Sequence, residues 1–334
     1  MSYSLLENHI PGRKISFEGA EYLWLGGTNY LDIGAHPTFQ NALREGIEQY
    51  SQNFGSSRRN NLQFTIWEDF EKALAFHFKV EAAALCSSGL AAAQIAVQFA
   101  QQKGFTLNLA PQAHPALWRH PFLPFSGTYS EWISSHQKDQ ILASDGIGTP
   151  WINTFDFSFA KAMDPSNYLI VDESHRVGIQ EIHLPCAGHL LQTASLSKAF
   201  GLPAGVILGS SADIAAIKKD PFWVGSSPPN PAFCQAGLQS IQAYEELNQK
   251  SNVLANRFAD NLQDFEVAVT YQAGYPAFCS KAPGLFEHLK SSGILVNQFA
   301  YPDITAPPIC RAILPACLTL EDIDNITDAI KSYA

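Results

Sequence analysis

The chain has 334 residues, of which 46% are apolar and 16% charged, with a net charge of −10. This length admits one large domain, or a large and a small one, around a substantial core, and the composition excludes a disordered chain. The charge balance argues against a nucleic-acid partner, because phosphate backbones need clustered Lys and Arg; apart from the local pair Arg58 and Arg59 no cluster occurs.

Residues 1–12 carry no apolar core behind a basic start, so no secretory signal is expected. A hairpin is expected from Lys14–Phe17 and residues 22–25 around Glu18, Gly19 and Ala20. Helical apolar spacing marks Pro37–Tyr50 and residues 67–78, with a polar loop at 53–61 between them. Ala82–Cys86 reads as a short buried strand, followed by Ser87, Ser88 and Gly89 and a helical run to about Gln102. Residues 168–171 and 204–208 are continuous apolar runs of the kind that fully buried parallel strands show. The Pro-rich stretch 227–231 is a plausible boundary, and a helix-like segment follows at 232–264. The last element opens at Thr319 with a capping-box-like start and turns Leu320, Ile323, Ile326 and Ile330 inward. No run approaches the roughly 20 apolar residues that span a bilayer. The six cysteines are scattered with no Cys-x-x-Cys pair, which fits reduced thiols in a cytoplasm.

Three constellations can carry chemistry. The apolar run ending in Val171 delivers Asp172, then His175, to the carboxyl end of a strand, where ligands collect in parallel α/β sheets. Taken singly, Asp172 reads equally well as a strand-end cap and His175 as an ordinary loop histidine. Lys198 stands in a hydroxyl-rich turn with Thr193, Ser195 and Ser197; lysine amines attack carbonyls when desolvated, although most lysines are simply solvated. Ser88 and Gly89 open a helix whose free N–H groups and dipole suit an anion, or else Ser88 is a common N-cap. Together they offer an anchor for phosphate, a carboxylate for a ring nitrogen and an amine for an aldehyde, the set that pyridoxal phosphate (PLP) needs.

On these residues the sequence resembles the fold-type I PLP enzymes, most of all the α-oxoamine synthase group. NYLDIGAHP (29–37) is similar to that group's NYLGL…HP segment, GSSRR (55–59) to its GSGGSR loop and SSGLAA (87–92) to its SSGYAAN turn. DESHRVG (172–178) is similar to DEAHSVG, SLSKAFG (195–201) to TLSKALGG, and RAILPACLT (311–319) with EDID (321–324) to the C-terminal RVSLSAAHTEEDID. The resemblance implies an α/β, aspartate aminotransferase-like PLP-dependent transferase fold, with a mostly parallel, seven-stranded-type sheet in a large domain and a smaller α+β domain. Expected boundaries are an N-terminal arm at 1–45 packing with the small domain, a large PLP-binding domain at 46–228 and a small domain at 229–334.

The resemblance also assigns roles. Lys198 forms the Schiff base and moves the α-proton, Asp172 pairs with the pyridine nitrogen and His175 contacts the phenolic oxygen. His114, in APQAHP (110–115), stacks over the ring, and Ser144, in SDG (144–146), lies near the cofactor. Ser88, Gly89, Leu90 and Ser195 hold phosphate, while Ser226 or Ser227 reaches a neighbouring subunit's phosphate in a homodimer. Arg311 grips the substrate carboxylate, with Asn29 also on the substrate side. Departures exist: the chain is shorter than typical members, Ala113 replaces the usual Asn before the histidine, and Trp67 stands near a position often held by His.

The implied function is condensation of an amino acid with an acyl-CoA. A transaminase or an aldolase-type enzyme on the same scaffold is the alternative, since fold alone does not decide chemistry. More remote are a noncatalytic PLP-fold protein and a zinc site from His114, His175, His183 and His189, which no His or Cys pair spacing supports.

Overall fold

The computed structural model describes residues 12–51, 53 and 55–333. The expectation about a leader in residues 1–12 therefore falls, except for Gly12, outside the described residues, as does Phe54 of the polar loop.

The first element among the described residues is a hairpin, β1 (Lys14–Phe17) and β2 (Ala20–Trp24), turned at Glu18 and Gly19, both of positive φ. Helix α1 (Pro37–Tyr50) has Pro in its first turn and is capped by His36, and α2 (Ile66–His77) follows. Next come β3 (Ala82–Cys86), α3 (Gly89–Gln102), β4 (Thr106–Leu109), α4 (Tyr129–Ser134), β5 (Gln140–Asp145) and the small ladder β6 (Ile147–Gly148) and β7 (Asn153–Thr154). Strands β8 (Tyr168–Asp172), β9 (His189–Ser195) and β10 (Gly205–Gly209) lead to helices α5 (Ser211–Ile217), α6 (Pro221–Gly225), α7 (Pro231–Gln239) and α8 (Ile241–Leu262). The chain closes with β11 (Thr270–Tyr271), β12 (Ala277–Ser280), α9 (Leu285–Ser291), β13 (Ile294–Leu295), β14 (Asn297–Ala300), β15 (Pro308–Ile313) and α10 (Leu320–Lys331).

These elements form two compact units. One comprises residues 36–148 and 153–245; the other comprises the described residues up to 35, together with 149–152 and 246–334. The expected boundaries at 45 and 228 are thus displaced: α1 and α7 both belong to the larger unit. Their packing explains it, since a Cβ on Gly46 would come within 2.8 Å of Ala232 Cα, so the two helices need glycine there to approach.

Among its described residues the larger unit holds one sheet of six strands, ordered β3-β10-β9-β8-β5-β4, where seven were expected. Beyond β4 the chain runs through Pro111, Pro115, Pro121 and Pro124, which donate no ladder N–H, and a single bridge joins Leu109 to Pro124. Strands β4, β5, β8 and β9 are parallel neighbours, but β10 runs antiparallel to both β9 and β3. That corrects the expectation of a parallel strand at 204–208. The connection through residues 196–204 is too short for a crossover and permits only a reversal.

Alternation sends the two faces of the sheet into two apolar layers. Ile141, Ala143, Tyr168 and Ile170 pack on the Ala-rich face of α3, while Leu142, Leu169 and Val171 pack with Trp132 and Phe157. A fully buried side chain of this size contributes about 1.5–3 kcal/mol relative to exposure, so the β8 run, buried at all five positions, anchors the sheet.

In the smaller unit β13 adds in parallel to the β1–β2 hairpin, and β11-β12-β15-β14 form an antiparallel sheet. Leu25, Phe258, Phe278, Leu289, Ile323 and Ile330 share its core. Thr319 and Asp322 close a reciprocal capping box on α10, and Arg13 grips the same Asp322 through two hydrogen bonds of 2.7 and 2.8 Å. Leu320, expected inside, is 49% exposed at the first helical position, whereas Ile323, Ile326 and Ile330 are buried. The expected helix at 232–264 is two helices broken at the buried Ser240.

Candidate active site

Three chain segments meet at the carboxyl end of the central sheet. Strand β3 delivers Ser88, the N-cap of α3, whose hydroxyl accepts the Ala91 N–H at 3.1 Å. The amides of Gly89 and Leu90 then lie among those that a helix leaves without an internal partner, at its positive end. Strand β9 ends at Ser195, hydroxyl to hydroxyl with Ser197 at 2.7 Å, and Lys198 follows half-buried. The two segments press together. A Cβ on Gly89 would fall 2.5 Å from Ser195 Cβ, and one on Gly205 would fall 2.1 Å from the Ser88 carbonyl oxygen. Glycine at both positions therefore lets the β3–α3 turn and the Ser195 turn pack backbone against backbone, which brings the free amides of the helix start beside the Ser195 hydroxyl.

Strand β8 supplies Asp172, buried and level with Thr193 of β9 on one side and Asp145 of β5 on the other. Its Oδ1 accepts the N–H of Ser174 at 3.0 Å and the Ser174 hydroxyl at 2.5 Å, while the same hydroxyl accepts the Ser195 N–H at 2.8 Å. Ser174 thereby ties the carboxylate strand to the lysine turn. Thr193 Oγ1, opposite Asp172, is buried without a hydrogen-bond partner among the described residues. His175 follows in the same turn, half-buried.

His114 opens a short 3-10 turn, with its Nδ1 accepting the Ala116 N–H at 3.1 Å and its own N–H bound to Asp145 Oδ2 at 2.9 Å. Desolvation lowers its imidazole from the usual range, with the Lys198 charge acting the same way and Asp172 opposing. Burial, reinforced by Asp172, pushes Asp145 up to about 8. Glu173 is driven up to about 7 by complete burial, against the pull of Arg176.

Not every expected residue joins this cluster. Ser144 is fully buried, and its hydroxyl bonds the Asp145 carbonyl at 3.1 Å. By strand alternation it points to the Leu142 face, and Asp145 takes the face that Asp172 shares. Ser226 and Ser227 instead line a cavity of about 300 Å³ with Gly55, Ser56 and Ser57. Arg58 is held by internal bonds, to the Leu85 and Ser226 carbonyls and over the Trp223 ring. Trp67 donates to the Pro229 carbonyl at 2.8 Å. Among the described residues no His, Cys, Asp or Glu group is arranged to hold a metal, and His189, one of the zinc candidates, is bound to Asp213 and stacked on Tyr168.

The remaining expected residues belong to the smaller unit. Arg311, on β15, is 6% exposed; its Nη2 donates to the Tyr30 hydroxyl at 2.9 Å, and Tyr30 meets Tyr275 hydroxyl to hydroxyl at 3.1 Å. The Arg311 Nε is buried without a hydrogen-bond partner among the described residues. Asn29 donates to Asp32 at 2.8 Å. Ser174, Asp145, Tyr30 and Tyr275 were not singled out from sequence. For Asp145 a signal existed, because it is two residues beyond the inward-facing Ala143.

Taken as a donor set, the larger unit fits a PLP-like group: an anion cradle, a buried acid at a strand end, and an amine on the adjoining turn. Comparison with known proteins agrees. The family model for aminotransferase class I and II matches residues 160–330. An 8-amino-7-oxononanoate synthase of Bacillus velezensis is 25% identical over an alignment covering 97% of this chain and 91% of its own. Among solved structures, a serine palmitoyltransferase of Sphingomonas wittichii superposes with a TM-score of 0.79 at 16% identity, covering 96% of this chain and 89% of that one. An 8-amino-7-oxononanoate synthase of Francisella tularensis gives 0.72 at 18%, covering 93% and 97%. Other matched serine palmitoyltransferase structures were solved with PLP.

Proposed function

Because this chain belongs to the aminotransferase class I and II family and is a PLP-dependent transferase of the aspartate aminotransferase-like fold, we propose that it joins an amino acid to an acyl-CoA. The observation that carries this reading is the convergence of Asp172, the Ser195–Lys198 turn and the Gly89 helix start at one end of one sheet.

When bound, PLP supplies an electron sink conjugated to the substrate's α-carbon. The chain's own groups do the rest. The Gly89 and Leu90 amides with the Ser195 hydroxyl hold the phosphate. Asp172, oriented by Ser174, sets a negative charge against the ring nitrogen. Lys198 Nζ would supply the amine for the aldehyde and would be the group that holds the α-proton. His114 would cover the ring face and His175 would meet the phenolic oxygen. Arg311, in the smaller unit, is the residue we assign to the substrate carboxylate, which its planar fork suits, and Asn29 is assigned to the substrate side. We infer in addition a cytoplasmic homodimer in which Ser226 and Ser227, which line a cavity with Gly55, Ser56 and Ser57, serve the partner subunit's phosphate site.

The test is direct. Purified protein is expected to show a visible absorbance band that borohydride bleaches, leaving the label on Lys198, and to release thiol from an acyl-CoA when an amino acid is added. Amine transfer to a 2-oxo acid without thiol release would move the assignment to a transaminase. A protein that takes up no PLP would end it.

A further inference from the structure

The cluster at the ends of β5 and β8 holds a carboxyl that the reading above does not use. Asp145 and Asp172 are register partners in a parallel pair, with side chains on the same face. The Gly146 N–H donates to the Asp172 carbonyl at 2.8 Å, which locks the two strand ends together. Asp145 Oδ2 accepts the His114 N–H at 2.9 Å, and His114 in turn caps the turn at Pro115–Leu117 through its ring. One carboxyl thus reaches from beside Asp172 to the backbone of His114.

We propose that Asp145 is a positioning residue of this site, fixing His114 through its backbone amide and standing as an uncharged neighbour beside Asp172. Two adjacent carboxyls in a buried setting do not both ionise cheaply, so the proton settles on the one with fewer donors. Asp172 Oδ1 has both the N–H and the hydroxyl of Ser174; Asp145 has the single His114 amide. Burial first, then Asp172 and more weakly Glu173, push Asp145 up to about 8, against the His114 amide and Lys198. Near neutrality Asp145 therefore stands beside Asp172 without charge and gains one only in alkaline solution.

The inference rests on the reading of His114 and Asp172 as cofactor contacts, and its test separates the two. Asp145→Asn keeps an oxygen for the His114 N–H and mimics the uncharged acid; Asp145→Ala removes the acceptor. Melting of the cofactor-free proteins is followed from pH 5 to 9, and PLP affinity by absorbance titration at pH 7. A folded-state value raised above the ordinary 3.8 means a contribution fully present in acid and lost as pH climbs toward about 8. Wild type should therefore lose melting temperature relative to Asp145→Asn over that range. Asp145→Asn should bind PLP within about threefold of wild type, and Asp145→Ala at least about tenfold more weakly, on the scale of one lost hydrogen bond. Wild-type and Asp145→Asn melting curves that stay parallel with pH would overturn the uncharged state. Undiminished PLP affinity in Asp145→Ala would overturn the positioning role. Should the alanine variant not fold, the asparagine comparison still decides. If wild type takes up no PLP, the cofactor reading fails, while the melting comparison still rules on Asp145.

Discussion

The Ser174 hydroxyl is bonded to Asp172 Oδ1 at 2.5 Å while accepting the Ser195 N–H, so one hydroxyl couples the acid strand to the lysine turn. Removing it leaves a buried amide without a partner and the carboxylate with one donor fewer. Ser174→Ala should cost about 1–3 kcal/mol of stability and weaken PLP binding by roughly tenfold, the equivalent of about 1.4 kcal/mol. Urea denaturation and absorbance titration of the same preparation measure both.

Tyr30→Phe should act on substrate binding. The Arg311 guanidinium would lose its Tyr30 acceptor and its fixed orientation while remaining buried. The expected result is a KM for the amino acid raised about 5- to 20-fold with little change in kcat, a loss of uniform binding. Steady-state kinetics at saturating acyl donor would show the split; an unchanged KM would take Tyr30 out of the site.

Gly205→Ala forces a methyl to 2.1 Å from the Ser88 carbonyl oxygen and 2.7 Å from the Gly89 nitrogen, both backbone atoms that cannot swing aside. Overpacking of this kind costs about 1–3 kcal/mol. Because the displaced backbone is the turn proposed to hold phosphate, the PLP titration should weaken more than thermal melting alone would account for.

At the opposite end of the sheet Asp213 accepts from Tyr168 and Ser210 at 2.9 Å, His189 at 3.1 Å and Lys103 at 3.3 Å. Burial alone would raise this carboxyl, but the bonds from His189, Ser210 and Tyr168 outweigh it and hold the group below its ordinary range. A depressed value gives stability that is present above the ordinary 3.8 and lost as pH falls through the folded one. Asp213→Asn should therefore destabilise by about 1.5–3 kcal/mol at pH 7, with the gap closing below about pH 4 in urea melts.

What the sequence revealed was local. Asp172 and the Ser88 turn stand out because each sits where an apolar run stops, and Lys198 because it stands in a hydroxyl-rich turn; the β3 and β8 runs are continuous because both faces of the sheet are covered. What it hid depends on pairing across the chain. Asp145 becomes important only once β5 lies in register with β8, and Tyr30 meets Tyr275 and Arg311 from far along the sequence. The direction of β10 was hidden in a loop length, and the break at Ser240 carries no Pro or Gly to announce it.

The smaller unit draws Leu25 from near one end of the chain and Ile323 and Ile330 from near the other into a single core, with Arg13 closing on Asp322. Its construction dictates a timetable. Every strand of the six-stranded sheet has been synthesised by Gly209, whereas β2 must wait for β13, and Arg13 for Asp322, 309 residues later. Contacts of such separation are closed late because the loop entropy between them is spent before they reward it. On a ribosome, the unit bearing Lys198 can settle first, and the unit bearing Arg311 is completed only after α10 emerges.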